Sequence, residues 1–282
     1  MTSLVPVSVL ILTHNEEVNV SACIDSVAGF GEVHVLDSGS TDRTIELAIS
    51  RGVGVHFNPF RGFGTQRNWA IDHIPAKFPW HFHLDADERM TPALAAELAA
   101  IVATGSDCGG YRVPSKLMFA GKWLRHAGQY PGYQVRFFHR DRLRFADYGH
   151  GQREETTSPV GTLKAPLIHH GFSKGLDAWF IKHVGYARRE AEQALDPART
   201  GERLLSRDPV ERRRAIKQAV AKLPGRYALR LGYMLVARRA VLDGWAGITY
   251  AHMLASYEGM IDVYLRLLAR GVNPDRLDAP ST

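Results

Sequence analysis

Four short apolar runs, each followed by a helical pattern, fill the first hundred residues, and this alternation limits the fold more than any other feature of the chain. Val7 to Leu12, Glu32 to Asp37, Val53 to Phe57 and Trp80 to Leu84 read as strands. Between them lie a helix from about Glu17 to Val27, a second begun by "SGSTDRT" and stopped by Gly52, and a third inside "PFRGFGTQRNWAIDHI". Thr91-Pro92 opens a fourth, with Thr as N-cap and Pro in the first turn. Single helices between strands require right-handed crossovers, so the sheet is expected to be parallel and covered on both faces. From Gly109 to His170 the pattern changes to short strands in "GYRVPSKLMF", "YQVRFFHR" and "LKAPLIHH", read as an antiparallel extension. Beyond Lys174 it is helical, over 176–195, about 209–221 and Tyr227 to Leu268. The expected architecture is α/β over 1–172 with a C-terminal helical region over 173–282.

Ligands of open α/β sheets gather at the carboxyl ends of the strands. Here those ends carry Thr13-His14-Asn15-Glu16, Asp37 and Asp85-Ala86-Asp87. A dinucleotide site would need Gly-x-Gly-x-x-Gly after the first strand, where this chain has THNEEVN, and no phosphate-binding loop ending in Gly-Lys-Ser/Thr occurs. Any bound diphosphate therefore needs another partner. Asp85 and Asp87, two apart on an extended segment, would point to one side and could share a divalent ion. Mg2+ is held by one or two carboxylates plus phosphates and water, and Mn2+ accepts similar ligands. An acidic strand end feeding the Thr91 helix is the plainer explanation of an isolated Asp-x-Asp; its place after the fourth strand favours the metal.

The stretches "VSVLILTHNEE", "VHVLDSGSTDRT", "GFGTQRNWAI" and "HLDADE" resemble the family-2 inverting glycosyltransferases of the GT-A fold. "YPGYQVRFF", "PLIHHGFSKG" and "LDGWAGITYAHMLASYEGMIDVYLRL" are similar to the lipopolysaccharide-core subgroup of the heptose β-1,4-glucosyltransferase type. The resemblance implies that Thr13, Asn15 and Glu16 line a nucleoside pocket, that Asp37 receives base or ribose, and that Arg67 approaches the uracil or the phosphates. It makes Asp85 and Asp87 the metal and donor pair, with His150 or His169 completing the shell around Mg2+ or Mn2+. The expected activity is transfer of a hexose, glucose or a relative, from a UDP-sugar to a saccharide acceptor, with inversion.

Such a displacement needs a general base for the acceptor hydroxyl. The subgroup often has Asp where this chain has Gly132, and His-Glu where it has His150-Gly151, which removes the easiest assignment. "ADYGHGQREE" still offers Glu154 first and Asp147 second, and Glu88 beside the aspartates is a further contender.

Net charge of +6 is unevenly spread: 199–239 hold twelve Lys or Arg against three acids. No run of about 20 apolar residues crosses the tail, so a membrane span is not expected. Amphipathic basic helices suit an anionic headgroup layer, where a lipid-linked or lipopolysaccharide-type acceptor would lie. Nucleic acid is not expected, because no recognition helix, aromatic RNA-binding pattern or zinc spacing accompanies the charge. Two distant cysteines and a first segment without a basic n-region suit a cytoplasmic protein, peripheral to the inner face of the cytoplasmic membrane. The competing readings are a sugar-nucleotide nucleotidyltransferase, which would want a Gly-rich basic loop after the first strand, and a non-catalytic nucleotide- or membrane-binding scaffold.

Overall fold

Strands β1 (Val5–Thr13), β2 (Phe30–Asp37), β3 (Gly54–Phe57) and β4 (Trp80–Asp85) lie parallel in the order β3-β2-β1-β4 in the computed structural model, which describes residues 4–148, 151–195 and 225–277. Helices α1 (Val20–Ser26), α2 (Thr44–Ser50) and α3 (Phe63–His73) make the crossovers. Both faces of the sheet are buried, which is why β1 reads as a continuous apolar run rather than an alternating one. Val9, Ile11, Phe82 and Leu84 pack with α1 and with Leu94 and Leu98 of α4 (Pro92–Thr104) on one face. Leu10 and Leu36 meet Ala70 and Ile74 of α3 on the other. Thr91 caps α4 as expected, its hydroxyl accepting from the Leu94 N–H at 3.2 Å.

After a short β5 (Glu88–Arg89), the sheet continues through β6 (Gly110–Phe119), β7 (Lys122–Trp123) and β8 (Gly132–His139). β8 is antiparallel to both β4 and β6, the extension read from the sequence. β9 (Arg144–Tyr148) and β10 (Gly151–Glu155) form a separate hairpin. The later strands depart from expectation: β11 (Val160–Thr162) and β12 (Leu167–His169) run parallel to β6. Three-residue strands carry too few positions for an alternation to report their direction. β12 also pairs antiparallel with β5, setting His169 opposite Glu88.

The chain divides into two compact units, residues 1–123 with 130–173, and residues 124–129 with 174–282. In the second, α5 (Gly175–Ala194) packs Ala187 and Ala191 against Ile261 of α7 (Gly244–Leu268). The expected helical stretch from Tyr227 to Leu268 is a hairpin: α6 (Arg226–Gly232) runs into a π-helical turn (Tyr233–Ala237), and a 3-10 turn (Ala240–Asp243) leads into α7. Arg239 and Gly244 take positive φ at the reversal, +55° and +67°. Gly247 permits the close return, since a Cβ there would sit 2.1 Å from the Ala240 carbonyl oxygen. Arg226 pairs with Glu258 at 2.6 Å and Tyr227 Oη lies 2.9 Å from His252 Nδ1, which ties the two arms together. The helix expected near 209–221 and His150 fall outside the described residues.

His81 and His83 project from β4 towards Phe138, and His83 also faces Phe145. Both are fully buried. Burial, helped by Arg140, pushes the His81 ring down to about 4, and burial with Arg67 pushes His83 well below the ordinary histidine value. Both rings stay neutral in the folded chain while the unfolded chain takes up protons near pH 6.5. Stability is therefore lost as pH falls below that value, by on the order of 3 kcal/mol from His81 alone by pH 4. Urea midpoints measured from pH 7.5 down to 4.5 are expected to fall, and less steeply in His81→Leu; an unchanged slope in that variant would place the critical proton elsewhere.

Candidate functional site

The carboxyl ends of three adjacent strands meet because of their register: Thr13 lies opposite Asp37, and Leu12 opposite Asp85. Asp37 is only 1% exposed. Its Oδ1 accepts the N–H groups of Gly39 (2.8 Å) and Ser40 (2.7 Å), and its Oδ2 the hydroxyls of Thr13 (2.8 Å) and Ser40. Burial opposes ionisation there, yet these donors outweigh it and hold the carboxyl below the usual aspartate range. Asn15, in the left-handed region at φ +52°, donates its N–H to Ser40 Oγ and accepts the Thr41 N–H at its side-chain oxygen, both at 2.8 Å. The Glu16 N–H donates to Thr44 Oγ1 at 2.7 Å and its carboxylate accepts from Asn19. Thr13, Asn15, Glu16 and Asp37 thus come together as predicted, and their first task is to latch the loop after β1 to the loop after β2.

The "GFGTQRN" segment assigns one job to each residue at the start of α3. Gly62 and Gly64 make room for β9: a Cβ on Gly64 would lie 2.6 Å from the Ala146 carbonyl carbon, and one on Gly62 2.3 Å from the Asp147 carboxylate. Gln66 bonds to Ser38 and Asn58, and Asn68 exchanges two hydrogen bonds with the Phe145 backbone, at 2.7 and 3.0 Å. Asp147 caps the helix from β9, with Oδ1 accepting the Gly64 N–H at 2.7 Å and Oδ2 the Thr65 hydroxyl. That engagement takes the carboxylate away from the general-base role expected of it.

Arg67 is 2% exposed and extends inward to the Asp85 carboxylate at 2.9 Å, with its Nε donating to Gln152. Burial and the neighbouring Arg136 pull its pKa down to about 10, so it remains protonated at neutral pH. Arg136 of β8, equally buried, grips Asp85 with both terminal nitrogens and reaches Glu88 at 2.7 Å. Glu88 in turn accepts the Asp85 N–H at 2.9 Å. Burial works against the Asp85 anion, but Arg136 and Arg67 prevail and hold its pKa well below the aspartate range. Glu88, competing for the same arginine, is raised, chiefly by burial. Arg136 is absent from the residues singled out in the sequence; its one signal is a charge in the middle of the apolar "VRFF".

The expected common direction of Asp85 and Asp87 fails because β4 ends at Asp85 and residues 86–87 turn. Among the described residues the Asp85 carboxylate is hydrogen-bonded by the two arginines, which leaves it engaged rather than open as a metal ligand. Asp87 instead faces His169 Nε2 at 3.2 Å, both side chains about one-third exposed. Burial lowers the His169 pKa, but Asp87 more than compensates and the net shift is upward. Among the described residues no three His, Cys, Asp or Glu side chains converge as a ready metal cage. One carboxylate and one imidazole fit Mg2+ or Mn2+ when phosphates and water complete the shell.

A cavity of about 340 Å³ opens beside the cluster, lined by Arg67, Asp85, Gln152, Tyr133, Arg112 and Glu154. Its size is at the lower end for ligand pockets. Glu154 lies in this wall, paired with Arg112 at 3.1 Å. Arg67 Nη1 is buried without a hydrogen-bond partner, an unmet donor beside the cavity.

Comparison with known proteins gives the family of the chain. The family described as "Glycosyl transferase family 2" matches residues 8–154. The lipopolysaccharide core biosynthesis glycosyltransferase LpsC of Rhizobium meliloti (strain 1021) is 28% identical over 198 residues, 68% of this chain and 72% of that one. An uncharacterized glycosyltransferase of Rickettsia bellii (strain RML369-C) is 35% identical over 99 residues, so this chain spans only 33% of its length. Among solved structures, glucosyl-3-phosphoglycerate synthase of Mycobacterium tuberculosis, in complex with Mn2+, UDP and glucosyl-3-phosphoglycerate, is 24% identical with a TM-score of 0.37, over 48% of this chain and 57% of that one.

Arg136→Met leaves Glu88 buried without its counter-charge and Asp85 with Arg67 alone, and is expected to cost roughly 3–5 kcal/mol in urea unfolding. Arg136→Lys keeps the charge without the two-pronged grip and should lose less. A loss below ~1 kcal/mol in the Met variant, the size of a surface pair, would contradict the cluster.

Proposed function

We propose, from the premise that the chain belongs to glycosyl transferase family 2, that it moves a hexose, glucose or a close relative, from a UDP-sugar to a saccharide acceptor with inversion at the anomeric carbon. The observation that carries this is the Asp87–His169 pair at 3.2 Å, at the turn after β4 where the strand ends converge. Asp87 and His169 would hold Mg2+ or Mn2+, and the bound ion would supply Lewis-acid neutralisation of the departing diphosphate. Thr13, Asn15, Glu16 and Asp37 would form the nucleoside edge, prearranged by the latch between the first two loops. Arg67, with an unmet N–H beside the cavity, would donate to the uracil or to a diphosphate oxygen. Asp85, fixed by two arginines, would orient the donor rather than ligate directly.

Glu154 is the proposed base, being the acid that shares the cavity wall with Asp85. It would take the acceptor hydroxyl's proton as that oxygen attacks opposite the leaving diphosphate, which inverts the centre. The LpsC relative supports an acceptor of the lipopolysaccharide-core kind or another cell-envelope glycan. An acceptor of that kind favours a peripheral position at the cytoplasmic face of the membrane, with residues 173–282 as a separate C-terminal domain. Among the described residues no helix is long and apolar enough to cross a membrane.

UDP release from a panel of UDP-sugars, with Mn2+ or Mg2+ and a saccharide acceptor, tests the assignment. Asp87→Ala should lower turnover by about 100-fold or more. Glu154→Gln should lower kcat by ~100-fold or more with KM for the donor little changed. Asp147→Asn, which keeps an acceptor for the Gly64 N–H, should stay within a few-fold of wild type. Equal losses in Asp147→Asn and Glu154→Gln would remove the distinction between cap and base, and no release from any UDP-sugar would remove the donor assignment.

A further inference from the structure

We infer that the tip of the α6–α7 hairpin is a docking surface for a bilayer carrying anionic headgroups, an inference that deepens the membrane position proposed above and rests on it. The hairpin turns at Arg238–Gly244, and large apolar residues at and just before the turn face solvent, Leu242 63% and Val236 79% exposed, while Ala240 is buried. Val241 is half exposed, and Leu229 and Tyr233, one turn apart on the arm leading to the tip, are exposed as well. Side chains of this kind are normally turned inward, and several together on one short turn mark a contact surface.

Charge identifies the occupant. Residues 225–257 contain four arginines and a single acid, Asp243. That acid is occupied internally, since its Oδ2 accepts the N–H groups of His126 and Ala127 at 2.9 and 2.8 Å. Arg226 is buried against Glu258. Arg239 remains exposed at the apolar tip; Arg230 and Arg238 are half-buried beside it, Arg230 over the Tyr233 ring at 5.7 Å and Arg238 bonded to the His126 carbonyl at 3.3 Å. An apolar tip flanked by cations with no outward acid matches the boundary between acyl chains and anionic headgroups, which accepts both features at once. A protein partner with an apolar site would leave the cations without a purpose, and a second copy of the same tip would bring arginine against arginine.

Flotation of the full chain with vesicles tests this. Wild type should bind phosphatidylethanolamine–phosphatidylglycerol vesicles, lose binding as salt rises, and bind phosphatidylcholine vesicles much more weakly. The double variant Val236→Asp, Leu242→Asp should partition ~10-fold more weakly, and Arg239→Glu should weaken binding and flatten its salt dependence. These positions are exposed, so both variants should unfold at the wild-type urea midpoint and release UDP from soluble substrates at the wild-type rate. Wild-type vesicle binding in the double variant, no binding by wild type, or an altered oligomeric mass in place of altered vesicle binding would each overturn the inference. A chain that binds vesicles as described but releases no UDP would sink the glycosyltransfer assignment and leave the docking surface standing.

Discussion

Two buried arginines paired with buried Glu88 and half-buried Asp85 at the end of β4 are the constraint around which the first unit is arranged. Taking such charges out of water costs several kcal/mol each, and only mutual pairing with good geometry offsets the cost. Arg136 meets that condition by gripping Asp85 with two nitrogens while also reaching Glu88. Arg67 approaches Asp85 from α3. The four groups come from β4, β5, β8 and α3, so all four elements must be in place before every charge is compensated. The ion cluster adds little as a source of stability and much as a condition on the fold: displacing β8 or α3 strands a charge in the interior.

The same economy explains why so many polar residues at the strand ends are already engaged. Asp37 has four donors around it, and Asn15 and Glu16 are bonded to the loop after β2. A nucleoside pocket built from these residues, as proposed, would be prearranged before a ligand arrives, so less conformational freedom would be lost on binding. Arg67 Nη1 and Arg136 Nε depart from this among the described residues, each a buried N–H left unmatched, the first beside the cavity. An unmatched buried donor is costly in the empty protein, and a bound anion is what would relieve that cost.

The parallel half of the sheet was legible in the sequence because its information is local. Apolar runs at β1, β2 and β4, helix starts at Thr44 and Thr91, and the glycine stop after α2 each announce themselves within a few residues. The candidate residues were legible in position where a polar motif follows a strand, as at Thr13, Asp37 and the Asp85–Asp87 turn. The site was not legible where partners are remote in the chain. Asp85 and Asp87 look alike in sequence, yet a turn at residues 86–87 sends them to different partners. Arg136 lies 51 residues from Asp85, and β12 reaches β5 across an interval that no periodicity spans. Asp147 resembled a catalytic acid because a loop carboxylate and a cap in trans have the same appearance until the helix it caps is seen.

Placement of the proposed base follows from that cap. In the β9–β10 hairpin Gln152 stands opposite Asp147, and Glu154 opposite Phe145. Asp147 is held by the first turn of α3, and the Phe145 backbone is bonded in both directions to Asn68. β9 is thus bolted to the helix at two points, and each bolt lies across the hairpin from a residue in the cavity wall. Because antiparallel pairing transmits register residue by residue, fixing Asp147 and Phe145 fixes Gln152 against Arg67 and Glu154 against Arg112. Gly62 and Gly64 are what allow the close approach. One glycine-bearing turn at the start of α3 therefore sets two things at once: the arginine that grips Asp85, and the distance at which the acid of β10 faces it.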